Sequence, residues 1–325
     1  MKVAYRDKSL RLATRRLPEN VVSSKGVVAA PVLADFLKQL RQDEQIKAKD
    51  CSLIVSDQES YFRHVTLPAM TVSELTLNLP FEFRDYISDD LEAYVFDYAV
   101  DKMVMGDDGK PERMELYAAA ARKDVVQSYA DVLRRAGFRL RVVTPSLMAF
   151  MGLLHHYNIV HPEDQGRTVV VVNIGYNRMG ISFYEGDRLE SSRMVEAGCY
   201  DVDTAIAEVK GVDLHVADSY RDSNFEEVLD TEAVRAVFDR MVFELTKVIN
   251  FYNFSHPDKE IKNIYLAGGG AAIPQLVTAL EAGFEYPVSF ISSLMPEELH
   301  GNPDANVCAL AFSALMAGEE ASHGA

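Results

Sequence analysis

The feature that most restricts the fold is a run of five β-branched residues, TVVVV, at residues 168–172. Branching at Cβ restricts χ1 and suits a strand buried on both faces, so this run predicts a central strand of a sheet. The run breaks at residues 173–177 (NIGYN), and two further strands are predicted at residues 179–184 and 188–195. A strand that ends in a short Gly-bearing turn can direct backbone N–H groups at an anion, but an ordinary hairpin has the same pattern. From this stretch alone the ordinary hairpin is favoured.

A second glycine-bearing turn follows a predicted buried strand at residues 261–266. Gly268, Gly269 and Gly270 come directly after it, and Pro274 lies in the first turn of the next predicted helix. Three consecutive glycines let the backbone approach a ligand closely, and the dipole of the following helix favours a phosphate. A tight packing turn without a ligand fits the same residues equally well.

A long amphipathic helix is predicted between these two features, at residues 232–254, because its apolar residues recur at i, i+3 and i+4 intervals. Glu244 and Lys247 lie three residues apart on this helix. A solvated salt bridge worth roughly 0.3 kcal/mol is the favoured interpretation.

A separate α+β unit is predicted at residues 64–143. Thr71 and Glu74 match a capping box that begins a helix. Two strands, a helix and a third strand follow at residues 93–104, 114–121, 123–136 and 138–143. The aromatic residues between positions 81 and 98 are predicted to belong mostly to the core of this unit. The alternative is that some of them line a peptide-binding groove.

The remaining segments predict two larger lobes. Residues 1–63 and 144–160 flank the α+β unit and are interpreted as one lobe, so the unit is an insertion into that lobe. Residues 166–325 are interpreted as the second lobe.

Composition restricts the classes of partner. The net charge of −16 argues against nucleic acid or an anionic lipid surface as the main partner. No run approaches eighteen apolar residues, so no membrane-spanning helix is predicted. The three cysteines lack the spacing of a metal site and predict reduced thiols in the cytoplasm.

The order of these segments resembles that of the actin-like superfamily and, within it, of the type IV pilus assembly protein PilM family. The resemblance covers nearly the whole chain and depends on the order and spacing of short segments. These are FRHVTLP, the inserted unit, VVTPSLMAF, TVVVVNIGYNRMGISFYEGDRL, Gly198, YLAGGGAAIPQL and NPDANVCALAFSALMAG. It implies an α/β, actin-like (ribonuclease H-like) fold with two lobes around a nucleotide cleft and an inserted small α+β domain of the SHS2 type.

The resemblance also implies a nucleotide site that holds ATP or ADP with Mg²⁺. Carried over by position, the segment after the β-branched run would be the second phosphate hairpin, the glycine loop would contact the adenosine, and the charged pair of the long helix would lie at the ribose. The implied nucleotide-binding residues are Asn173, Ile174, Gly175, Tyr176, Asn177, Gly268, Gly269, Gly270, Glu244 and Lys247.

Two departures from the family pattern change the expected chemistry. The first phosphate hairpin should precede the strand at residues 2–5, so we expect the first lobe to lack its first strand. Either a longer chain or a partner would then cover the exposed edge. Asn173 stands where the family usually has Asp, and an amide can neither hold Mg²⁺ by charge nor act as a base. We therefore expect no catalytic residues, no metal ligands and no useful rate of ATP hydrolysis.

The expected function is that of a cytoplasmic scaffold in a type IV pilus assembly platform. The resemblance implies that the inserted domain binds the N-terminal cytoplasmic peptide of a PilN-like membrane protein, and that the pilus assembly ATPase is a further partner. The protein would reach the inner face of the cell membrane through its partners, without direct insertion. Assembly into a homo-oligomer is a further alternative. The alternatives are an actin-like ATPase or kinase and an FtsA-like filament protein of cell division.

Overall fold

The computed structural model describes residues 1–23, 26–56 and 59–323. Its strands are β1 (Lys2–Arg6), β2 (Leu10–Thr14), β3 (Val22–Ser23), β4 (Gly26–Val27), β5 (Asp50–Val55), β6 (Ser60–Pro68), β7 (Tyr94–Met105), β8 (Pro111–Arg122), β9 (Arg139–Pro145), β10 (Thr168–Ile174), β11 (Met179–Glu185), β12 (Arg188–Val195), β13 (Ile261–Gly268) and β14 (Val288–Phe290). Its helices are α1 (Ala30–Asp43), α2 (Val72–Asn78), α3 (Lys123–Arg135), α4 (Ser146–Val160), α5 (Cys199–Lys210), α6 (Leu214–Ser223), α7 (Glu232–Ser255), α8 (Pro274–Gly283), α9 (Pro303–Val307) and α10 (Ala309–His323).

Strand β10 lies at the centre of a five-stranded sheet in the second lobe, with the order β12-β11-β10-β13-β14. It pairs antiparallel with β11 and parallel with β13. Val170 and Val172 point into a core shared with α5 and α7, whereas Val169 and Val171 point into a core shared with α4 and α10. The prediction of a central strand buried on both faces is confirmed, and the strand continues two residues further, to Ile174.

The first lobe contains three separate two-stranded sheets, the smallest of which pairs β3 with β4. Strands β1 and β2 form an antiparallel pair, and β5 and β9 form a parallel pair. In the second lobe the same connectivity recurs as the antiparallel pair β11–β12 and the parallel pair β13–β14, with β10 between them. Within the described residues the first lobe has no counterpart of β10. The expectation that the first strand of this lobe is missing stays a prediction.

Helix α10 joins the β1–β2 and β5–β9 sheets of the first lobe to each other and to the second lobe. It packs against β1, β5 and β9 of the first lobe, and against α4. A Cβ at Gly318 would overlap Ser52 Oγ of β5, so the helix lies directly on that strand. Phe312 of the same helix is 1% exposed and reaches the core behind β10.

The inserted unit is built on a three-stranded antiparallel sheet with the order β6-β8-β7. Helix α2 begins with the predicted capping box, in which the Glu74 N–H donates to Thr71 Oγ1 and the Thr71 N–H donates to Glu74 Oε2. The limits 64–143 stay a prediction. Strand β9 pairs with β5, and α3 packs on α1, and both of these partners belong to the first lobe. These contacts favour narrower limits for the inserted unit, residues 60–122.

Candidate functional site

The candidate site begins at the turn that follows β10. The Gly175 N–H donates to the Arg178 carbonyl oxygen at 2.8 Å and closes the turn. The first N–H groups of α5 then donate to the other side of this turn: Cys199 N to Gly175 O at 3.1 Å, and Tyr200 N to Tyr176 O at 2.7 Å. The N-terminus of α5 therefore binds hairpin carbonyls, which satisfy N–H groups that lack a partner within the helix.

The glycine loop packs directly on the end of β10. Gly268 has a φ of +86°, and a Cβ there would overlap the Ile174 carbonyl oxygen and approach Asn173 Oδ1 to 2.6 Å. A Cβ at Gly270 would lie 2.7 Å from Ile174 Cβ. Real Cβ atoms essentially never come this close to other heavy atoms. Packing against the hairpin therefore accounts for Gly268 and Gly270 without a ligand.

Gly269 differs from its two neighbours. A Cβ there would meet only Cys199 Sγ, at the ordinary distance of 3.9 Å, and the residue is partly exposed. In the hairpin Tyr176 and Asn177 are exposed, whereas Asn173 is half-buried. The surface that a ligand could reach thus consists of the hairpin tip and the middle glycine.

A buried ion network lies behind the hairpin. Asp203 of α5 is 0% exposed, and its Oδ1 accepts from Arg221 Nη1 at 2.5 Å. Arg221 Nη2 also binds Asp218 Oδ1 at 2.5 Å, and Asp218 Oδ2 binds Arg16 Nη1 of the first lobe at 2.9 Å. The network therefore runs from the core of the second lobe across to the first lobe.

Burial sets the protonation behaviour of this network. Desolvation raises the pKa of Asp203 to about 6, although Arg221 opposes the shift. Burial and the nearby Asp203 carboxylate together raise the pKa of Tyr176 to about 12, which places the hairpin tyrosine beside the network. The thiol of Cys199 is neutral at pH 7, because burial raises its pKa to about 11.

The charged pair that the structure brings to the hairpin is Asp218–Arg221 of α6. Glu244 and Lys247 of α7, which the sequence singled out, bind each other at 2.8 Å, and Lys247 Nζ lies 5.2 Å from the Phe243 ring centroid. The favoured interpretation as a salt bridge agrees with this geometry, and a ribose contact stays a prediction. Both pairs have i, i+3 spacing on a helix, so their spacing could not have distinguished them.

Lys2 is a site residue that the sequence reasoning missed. Its side chain is exposed, yet loss of surrounding water lowers its pKa, while Cys308 and Cys199 oppose that shift. A lysine that is reachable by solvent but poorly hydrated lies in a concave surface. Cys199 belongs to the second lobe and faces Gly269, and its electrostatic effect on the pKa of Lys2 makes the lysine a candidate for the same cleft.

These groups combine positive charge with main-chain polar groups, a combination that suits an anion. Lys2 and Arg16 contribute positive charge from the first lobe, and the hairpin tip and Gly269 contribute main-chain groups from the second. Asp203, which lies beside the hairpin tyrosine, is fully buried and paired, so it cannot contact a water molecule in the cleft. Glu196, which binds Arg178 Nε at the end of the hairpin turn at 2.9 Å, is exposed. A general base must lie within hydrogen-bond reach of the proton that it removes.

Comparison with known families decides the relationship. A family model described as "Type IV pilus assembly protein PilM" matches residues 5–316. The chain belongs to this PilM family. The resemblance inferred from the order of the sequence segments is confirmed.

Solved structures confirm the actin-like architecture. A PilM–PilN type IV pilus biogenesis complex matches with a TM-score of 0.81 at 21% identity, covering 98% of this chain and 94% of that chain. MreB5 of Spiroplasma citri bound to AMPPNP matches with a TM-score of 0.51 at 10% identity, covering 99% of this chain and 83% of that chain. At these identities the likeness concerns the fold. Among the described helices, none combines the length and apolar character needed to span a membrane.

The packing of the glycine loop predicts that its three glycines differ in their tolerance of a methyl group. Gly268→Ala and Gly270→Ala should each lower the free energy of unfolding by at least about 2 kcal/mol, because the new Cβ overlaps Ile174. Gly269→Ala should change it by less than about 1 kcal/mol. Urea unfolding followed by circular dichroism measures all three. Equal losses in the three variants would contradict the packing explanation.

The raised pKa of Asp203 predicts a specific dependence of stability on pH. The folded chain holds the proton up to about pH 6 and the unfolded chain only to about pH 3.8. The contribution of this group to stability is therefore full below pH 3.8 and is lost as the pH rises through 6. The unfolding free energy of Asp203→Asn, relative to the parent, should increase by roughly 2–3 kcal/mol between pH 4 and pH 7. A difference that does not vary with pH would refute this assignment.

Proposed function

We propose that the protein is a scaffold of a type IV pilus assembly platform, and that it holds a short extended segment of a PilN-like membrane protein on its inserted unit. The observation that carries this proposal is the outer edge of β7. An extended peptide can add a strand to such an edge, with main-chain hydrogen bonds giving affinity and alternate side-chain contacts giving specificity.

The β7 edge is long and partly apolar. The strand has twelve residues and pairs with β8 on one side only within the described chain. Val95 and Val100 are 40% and 51% exposed. The register shift after Val100 leaves residues 94–100 as the regular part, long enough for a peptide of about seven residues.

The nature of the partner follows from the family. The complex that matches this fold along almost its full length pairs PilM with PilN. For this chain we take the partner segment to be the N-terminal cytoplasmic tail of the PilN-like protein, which would hold the scaffold at the inner face of the membrane. The net charge of −16 suits a segment with basic residues. The assembly ATPase would be a second partner, at a surface that we do not assign.

An adenine nucleotide with Mg²⁺ would act in this proposal as a structural ligand. Lys2 and Arg16 would face its phosphates from the first lobe, and the hairpin of residues 173–177 with Gly269 would face it from the second. A ligand that contacts both lobes shifts the equilibrium toward the closed arrangement. Hydrolysis is not part of the proposal, because Asn173 is neutral and Asp203 is buried.

Binding at the β7 edge predicts the effect of charge placed along it. Val95→Lys and Val100→Lys should each weaken binding of a fluorescently labelled PilN-like tail peptide at least tenfold, about 1.4 kcal/mol, as measured by fluorescence anisotropy. Val72→Lys is the matched control, because Val72 is 69% exposed on α2 of the same unit. Full affinity in both edge variants would reject this surface, and no binding by the parent protein would reject the proposed partner.

The role of the nucleotide predicts stabilisation without turnover. ATP with Mg²⁺ at ten times its Kd should add about 1.4 kcal/mol to stability, visible as a higher thermal unfolding midpoint, while phosphate release stays at the buffer rate. Lys2→Ala should lose the shift, and Lys8→Ala, in the exposed turn between β1 and β2, should keep it. Steady phosphate release would show that the protein is an enzyme.

A further inference from the structure

A cluster of three potential metal ligands lies on the inserted unit, away from the nucleotide cleft. His64 comes from β6, Asp101 from β7 and Glu115 from β8, and one ligand atom of each lies within 4.8 Å of the other two. His64 Nε2 and Asp101 Oδ2 are 3.1 Å apart. Because the three strands belong to one hydrogen-bonded sheet, the spacing of these groups is fixed by the backbone.

The local structure directs these side chains to a common point. The pairing of β7 with β8 shifts between Val100 and Lys102, so Asp101 is the extra residue of a β-bulge. Bulges re-aim a side chain and occur next to functional sites. The ring of Tyr117 lies 4.8 Å from the His64 ring and restricts its orientation. The Asp101 side chain is only 13% exposed, so its carboxylate is partly removed from water.

The structure already places a cation at this point. Arg188, at the start of β12 in the second lobe, brings Nη2 within 3.0 Å of Asp101 Oδ2 and 3.4 Å of Glu115 Oε2. Two carboxylates this close repel each other, and a cation between them relieves that repulsion. Arg188 supplies this cation, and its ion pairs also link the inserted unit to the second lobe.

We propose that His64, Asp101 and Glu115 form a binding site for a divalent transition metal such as Zn²⁺, and that Arg188 competes with the metal for the two carboxylates. An imidazole nitrogen with two carboxylate oxygens is a donor set that Zn²⁺ accepts, and it is less suited to Mg²⁺, which prefers oxygen ligands. Three protein ligands leave a fourth position for water. When the metal binds, the ion pairs of Arg188 break, and the inserted unit loses this link to the second lobe.

Competition between Arg188 and the metal predicts that two substitutions change the Zn²⁺ affinity in opposite directions. Zn²⁺ is titrated into the full chain at pH 7.5 in the presence of a chromophoric chelator, with the stoichiometry and Kd as readouts. The parent protein should bind one Zn²⁺ ion. His64→Ala should bind at least tenfold more weakly, and Arg188→Ala should bind several-fold more tightly, because the competing cation is gone.

A second histidine–carboxylate pair provides the matched control. His155 Nδ1 lies 2.5 Å from Asp187 Oδ2, and this pair belongs to no group of three metal ligands identified in the described residues. His155→Ala should therefore leave the Zn²⁺ affinity unchanged. Substitution of Co²⁺ should give a visible absorption band in the parent protein that disappears in His64→Ala.

The proposal is overturned by any of three results. The first is that the parent protein takes up no Zn²⁺, the second that His64→Ala binds as tightly as the parent, and the third that Arg188→Ala binds no more tightly than the parent. Circular dichroism of each variant confirms that the sheet is intact, so a change in affinity is not mistaken for unfolding.

Discussion

The close contact between Ile174 and the glycine loop determines the arrangement of the second lobe. Gly268 and Gly270 leave room for the main chain and side chain of Ile174, and Gly198 leaves room for the main chain of Tyr176. Three backbones can approach one another only where no Cβ intervenes. This contact fixes the end of β10, the start of α5 and the loop before α8 relative to one another. Whatever binds at the hairpin therefore meets a surface that is already rigid.

The two lobes hold their strands together in different ways. The second lobe has a central strand, and its sheet is continuous through main-chain hydrogen bonds. The first lobe has three separate strand pairs, and the packing of α10 against β1 and β5 brings two of them together. Between the lobes, the Arg16–Asp218 ion pair spans the cleft and ends in the buried Asp203–Arg221 pair. Separation of Arg16 from Asp218 would break one solvated ion pair and leave the buried pair intact.

Local patterns predicted most of the fold. The β-branched run indicated β10, the capping box indicated the start of α2, and the order of segments indicated the family. These features depend on neighbours within a few residues, which a sequence displays directly. The glycine loop was located correctly, but the sequence could not distinguish a ligand cradle from a packing turn. That distinction depends on Ile174, which is nearly a hundred positions away in the chain.

The candidate site was less predictable, because its charged groups meet only in the folded chain. Arg221 has the same spacing to Asp218 as Lys247 has to Glu244, and only burial and contact with Asp203 separate the two pairs. Lys2 lies near Cys199 through the packing of one lobe on the other. Strand β9 pairs with β5, which lies before the inserted unit in the sequence, whereas β9 lies after it. The local sequence could not show this pairing, so it placed β9 in the inserted unit.

The position of α10 has a consequence for synthesis of the protein on the ribosome. Domains usually fold as units during synthesis, with the N-terminal one first. Here the β1–β2 and β5–β9 sheets of the first lobe are joined by a helix that is translated at the end of the second lobe. Nascent β1, β2 and β5 must wait for about 250 residues before that helix emerges, roughly 12–50 seconds at ordinary elongation rates. Their apolar surfaces stay uncovered by α10 during that interval.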